Sequence, residues 1–203
     1  MPQAPNQCGL WGMFLRIATY SAGQLGARLA AIELLFVRTC AAQTRSRLGR
    51  LLAIGLSRLG NGWIYPVIAV ACLVLAGRQA LEVILIAAVN VALLHCMYRR
   101  IKLWCRRARP YQSYPELNPL LPALDEHSFP SGHAMTLTAV LVPLALAFPL
   151  LLIPAGALWL FMAWARLASA HHYGSDILAG AGLALGVAYP ISSWTLERLA
   201  TVP

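Results

Sequence analysis

Ser128-Phe129-Pro130-Ser131-Gly132-His133 runs directly into 32 residues without a charge, 134–165, and this junction decides the fold. One membrane span needs about 20 apolar residues, so the run holds either one overlong helix or two spans joined in a tight hairpin. Pro149 and Pro154 sit where a hairpin would turn, and Pro143 would kink its first arm. At the head of the run, proline suits the first turn of a helix and Ser131 is a suitable cap. The N–H groups left open at such an end, with the helix dipole, favour an anion, toward which His133 would direct its ring.

Outward from this junction the chain keeps the composition of a membrane protein. Of 203 residues, 59% are hydrophobic and 11% charged, a balance that would leave too much apolar surface in water. The net charge of +9, from 16 Lys and Arg against 7 Asp and Glu, is read as attraction to anionic lipid, not as a nucleic-acid surface. Five scattered cysteines give neither a disulfide framework nor a zinc site.

Residues 1–60 are expected to form an N-terminal interfacial, amphipathic region and residues 61–203 the membrane domain. Residues 1–9 read as a frayed polar end without a signal peptide. In 10–37, Arg16, Arg28 and Glu33 interrupt an apolar stretch in which Leu25, Leu29, Ile32 and Phe36 recur at helical spacing, which suits a helix in the membrane interface better than a span. A basic connector follows, with Arg38, Arg45, Arg47, Arg50 and Arg58 beside a stripe of Leu48, Leu52, Leu56 and Leu59.

Residues 61–77 give the first firm span and 80–98 the second, in which Asn90 is expected to bond a neighbouring helix and His95 to be structural. In the basic stretch that follows, Arg99, Arg100, Arg106 and Arg107 read as the positive flank of the span. Lys102 and Arg109, seven apart, fall on one face of a helix that Pro110 would end. Residues 111–129, including Asp125 and Glu126, read as a solvated loop over a pocket mouth. A last span, 177–196, carries Gly182 and Gly186 four apart, a spacing that lets another helix approach. The fold class is all-α: a polytopic membrane helical bundle of about five spans, plus N-terminal interfacial amphipathic helices.

Parity then brings the chemistry together. If the second span leaves on one face, the third begins there, the hairpin returns the fourth to it and the fifth departs from it. Lys102, Arg109, Ser131, His133, Arg166, His172 and Asp176 thus share one face, at the depth of a lipid phosphate. Such a cluster of cations and imidazoles calls for an anion.

Lys102 with Arg109-Pro110 after six residues, then Pro130-Ser131-Gly132-His133, then Arg166 with His172 after five and Asp176 after three more, resembles the three-part signature of the type 2 phosphatidic acid phosphatase superfamily. Undecaprenyl-diphosphate phosphatases and vanadium haloperoxidases are related to it, and five apolar spans argue against the soluble oxidative enzymes. Ala165 stands where the family often has Ser before the arginine. The resemblance implies a helical bundle, a metal-free phosphatase without cofactor, and a phosphohistidine intermediate.

Residue chemistry agrees with that implication. Phosphoryl transfer spreads charge over three equatorial oxygens, so catalysis is mainly positioning and electrostatics. Lys102, Arg109, Arg166 and the N–H groups near Ser131 and Gly132 would bind the phosphate. His172 is expected as nucleophile with Asp176 orienting its ring, and His133 as the acid that protonates the leaving oxygen and later activates water. His171, whose partner four residues on is Ser175, is set aside.

The expected partners are the bilayer and a lipid phosphate such as phosphatidic acid, phosphatidylglycerophosphate or a polyprenyl diphosphate, with no nucleic acid and no protein partner. A phosphotransferase using an alcohol acceptor and a silent lipid-binding protein are the competing readings. The chain is expected as a multi-pass protein of the cell's inner membrane. Lys102, Arg109 and Arg166 aside, eleven basic residues lie on the site face if the N-terminal region lies there too, against Arg78 and Arg198 opposite; the positive-inside rule then places that face in the cytoplasm, whereas the family resemblance implies the outer side, and the charge bias is preferred.

Overall fold

The computed structural model describes residues 10–201, with side chains from residue 25 onward. The polar end 1–9 and the Arg16 side chain lie outside those descriptions. Seven α-helices and no strand occur among the described residues.

The first helix, α1, spans Leu10–Gln43, and α2 spans Arg47–Arg58. Ser46 caps α2 by accepting the Gly49 N–H at 3.0 Å, the local reason the chain re-enters a helix after one turn. A π-type turn, Leu59–Trp63, leads into α3, Ile64–Cys105. α3 is two helical arms, meeting near the break the sequence suggests between its first two spans: it doubles back at Gly77, whose φ of 54° and ψ of −128° suit only glycine. Its arms lie side by side, so that Ile68 and Ile84 face one groove and Tyr65 and His95 one pocket.

The decisive uncharged run is a hairpin. α5, Gly132–Ala147, ends at Phe148; a tight turn, Pro149–Leu151, leads into α6, Leu152–Ala168. Pro154 lies in the first turn of α6, where its missing N–H costs no helical bond. α7, Gly174–Thr201, completes the bundle, and α4, Pro110–Ser113, is a single turn in the long connection.

The N-terminal helices pack on the bundle: Val37 and Cys40 of α1 and Ala53 of α2 share one buried cluster with Leu167, Ala168 and Ile177. Exposed residues Leu25, Leu29, Ile32 and Phe36 do form the apolar stripe, and the opposite side of α1 is docked on the bundle.

The small-residue seam of α7 is displaced. Gly182 and Gly186 face open space, whereas Gly180, Ala184 and Ala188 are buried. A methyl group at Gly180 would meet the Ser131 carbonyl oxygen at 2.4 Å, so glycine is what lets α5 and α7 pack. Asn90 donates to Ser192 Oγ at 3.0 Å, both side chains fully buried, and bonds a neighbouring helix as expected.

Candidate active site

Helix ends deliver the site to one face of the bundle. α5 starts there with Ser131 as its cap, the hydroxyl accepting from the Ala134 N–H at 3.5 Å. Ser131 N–H is not open to a ligand, since it donates to the Asp176 carbonyl at 2.9 Å. Gly132 is required where Tyr98 lies on the helix start: a methyl group there would come within 2.6 Å of the phenol oxygen. At the end of α6, Ala170 takes a left-handed φ of 53° and turns the chain so that His171 and His172 enter the interior.

Lys102 and Arg109 converge by a route the sequence did not suggest. α3 stops at Cys105 because Arg106 adopts φ 44°, and Pro110 opens α4 instead of ending a helix. Both cations meet Asp125: Lys102 Nζ and Arg109 Nη2 bind its Oδ1, and Tyr98 donates to Oδ2 at 3.0 Å. Asp125 thus belongs to the cluster and is not a solvated loop residue. Burial alone would raise its pKa, but the bonds and charges of Lys102 and Arg109 bring it below the usual carboxylate value.

His172 is 3% exposed. Its Nδ1 lies 2.8 Å from the Ser128 carbonyl and 3.7 Å from Asp176 Oδ2. The expected orienting bond from Asp176 is therefore replaced by a backbone carbonyl, because Asp176 is occupied by Arg107 Nη1 at 2.7 Å and the Tyr173 N–H at 2.8 Å. With Nδ1–H donated to Ser128, Nε2 carries the lone pair and faces Arg109, 3.5 Å away. Burial, then Arg109 and Arg166, hold this imidazole well below its ordinary pKa, so it is neutral. His171, set aside as nucleophile, turns its Nε2 to the Leu121 carbonyl at 2.8 Å; burial and then Arg166 lower it to about 4.

Arg166 is 3% exposed and differs from the other two cations. Its Nη1 lies 3.3 Å from His133 Nε2, while its Nε and Nη2 are buried with no partner among the described residues. Arg109, Asp125, Gly132, His133, Arg166, His171 and His172 line one cavity of about 340 Å³. Lys102, Ser131 and Asp176 support this cavity from behind and do not line it.

A profile of the PAP2 superfamily matches residues 79–200. The chain belongs to the PAP2 superfamily. Among solved structures, this PAP2 chain is similar to the first transmembrane PAP2 type phosphatidylglycerolphosphate phosphatase from Bacillus subtilis, with TM-score 0.65 and 19% identity over 95% of this chain and 98% of the other. No curated protein matches the sequence.

Besides Asp125, sequence reasoning missed two further residues of this PAP2 site. Arg107, read as a membrane flank, bridges Asp176, Ser175 Oγ and Glu33 and lies over the Tyr173 ring. Asn61, read as the edge of a span, places Oδ1 2.9 Å from His133 Nε2.

Proposed function

We propose that this membrane protein is a lipid phosphatase that hydrolyses a phosphomonoester or diphosphate through a phosphohistidine on His172. The carrying observation is Arg166: a buried guanidinium with two nitrogens lacking partners is costly unless an anion completes it, and it faces the cavity holding the His172 lone pair. The described cations exceed the carboxylate among them, Lys102, Arg109 and Arg166 against Asp125, which matches a dianionic headgroup. The family membership supports the phosphatase reading, and the name of the Bacillus subtilis neighbour supports a phospholipid phosphomonoester as substrate.

Neutral His172 attacks phosphorus through Nε2. The P–N bond forms as the P–O bond to the lipid breaks, and protonated His133 gives its proton to the leaving oxygen. His133 then takes a proton from water, whose oxygen attacks phosphorus and releases His172. Arg166, Arg109 and the Gly132 N–H bear on the charge of the equatorial oxygens. The site face is assigned to the cytoplasm of the inner membrane, because the basic residues of α2 precede Gly60 and Asn61, which line the cavity.

Phosphate release from phosphatidic acid, phosphatidylglycerophosphate and a polyprenyl diphosphate in mixed micelles tests the proposal. Release from one of them without an alcohol acceptor is expected. Release only with an acceptor would make the protein a transferase, and binding without release would make it a lipid-binding protein.

A further inference from the structure

The π-type turn Leu59–Trp63 stands where α2 meets α3, and its Gly62 has φ 131°. Such turns add a residue to the helix, swing side chains off its regular face and concentrate at functional sites. Here the turn brings two residues onto one histidine. Asn61 Oδ1 lies 2.9 Å from His133 Nε2. Gly60 lies against the same ring: a methyl group there would sit 2.8 Å from His133 Cδ2 and 2.7 Å from Met162 Cε. Both residues line the cavity, and both precede the segment matched by the family profile, which begins at residue 79.

A general acid–base histidine needs one nitrogen held and the other available. The other group close to the His133 ring is Arg166 Nη1, at 3.3 and 3.5 Å from its two nitrogens, and a guanidinium only donates. It cannot receive the ring N–H. Among the described residues, the Asn61 amide oxygen is the acceptor in reach. We propose that Asn61 is a positioning residue that accepts the Nε2–H of His133, with Gly60 setting the ring plane, so that Nδ1 is the nitrogen that gives and takes the proton. A neutral amide suits the task, because a carboxylate there would retain the imidazolium proton and a hydrocarbon would let the ring turn over. The proposal rests on His133 being the acid–base of the phosphatase reading.

The charged and titratable groups facing His133 are Arg166 from α6, Arg109, His171 and His172 from the two connections, with Asp125, His95, Tyr65 and Tyr98 on the same cavity wall. None of these changes in an Asn61 variant, so a shift in pH profile reports the side chain at position 61.

The test uses the full-length protein in nanodiscs with ¹⁵N-labelled histidine, the His133 signal being assigned by its loss in His133→Gln. In the substrate-free wild type, neutral His133 is expected as the Nε2–H tautomer, Nδ1 taking up the second proton in the acid form, and in Asn61→Leu the neutral ring is expected as a mixture. Asn61→Leu should lose about 30-fold in kcat with KM within about twofold, and Asn61→Asp should recover most of kcat while moving the alkaline limb of its pH profile upward by about half a unit or more. A neutral wild-type His133 protonated at Nδ1, or an Asn61→Leu protein with unchanged kcat, tautomer and pH profile, overturns the proposal. The expected tautomers in a protein that releases phosphate from no lipid would leave the contact standing and defeat the phosphatase reading instead.

Discussion

His172 Nδ1 lies 2.8 Å from the backbone carbonyl oxygen of Ser128. A carbonyl cannot take up a proton or be titrated near neutral pH, so the tautomer that exposes Nε2 is held by the main chain just ahead of α5. His172, the proposed nucleophile, and the start of α5 are thereby fixed to each other.

Asp176→Asn follows from this arrangement. Asp176 touches His172 only through 3.7 Å of space, so kcat should fall about tenfold, far less than in His172→Ala, which should lose activity while still binding lipid. Steady-state kinetics of the two variants decide it. Equal losses would return the orienting role to Asp176.

Asp125 is paired with Lys102 and Arg109, cations that the proposed phosphate substrate would need. Asp125→Asn should therefore lower KM for the lipid and strengthen inhibition by inorganic phosphate, each by about tenfold, since one unit of competing charge is removed. Inhibition curves for phosphate check this, and weaker inhibition would contradict it.

Much of the site was legible because its residue types are rare in apolar surroundings: Arg166, His133 and the His172 segment announce themselves by charge at span ends. Asp125 and Arg107 were not, since a carboxylate in a proline-rich loop and an arginine beside a span have ordinary surface explanations. Only the fold, with Arg106 breaking α3 early, turns both inward. The seam of α7 was misplaced by two residues because Gly182 and Gly186 share a spacing with Gly180, Ala184 and Ala188, and spacing alone does not tell which face meets α5.

That seam gives a paired prediction. Gly180→Ala should destabilise the protein and depress activity by pushing α7 from the Ser131 carbonyl, whereas Gly182→Ala should leave both unchanged. Thermal midpoints in detergent and phosphate release measure the pair. The reverse pattern would mean that α7 is rotated from its observed position.

Glu33 holds the start of α7 from another helix, accepting from the Ser175 N–H at 2.9 Å and from Arg107 Nη2 at 2.7 Å. Glu33→Ala removes a helix-terminal acceptor and one partner of Arg107, a loss of about 2 kcal/mol. The thermal midpoint should drop by several degrees, and an unchanged midpoint would show that α1 does not brace the site.

Acid should loosen the fold in a defined window. His171 and His172 have folded-state pKa values below their unfolded ones, so the unfolded chain binds more protons as pH falls below about 6.5, and stability declines by up to about 1.4 kcal/mol per pH unit for each ring. His171 stops contributing to the slope near pH 4, its folded value. Asp125, also lowered, adds its loss only below the ordinary carboxylate range. Denaturation followed from pH 7 to 4 should show the decline, and His171→Gln should flatten it.

Rapid acid-free quenching of the protein with a ³²P-labelled lipid phosphate asks most directly whether His172 becomes covalently phosphorylated. Label on the chain that survives base and is lost in acid, present in the wild type and absent in His172→Ala, is the predicted result. Turnover by His172→Ala, or turnover by the wild type with no label trapped on the chain at any time, would contradict it.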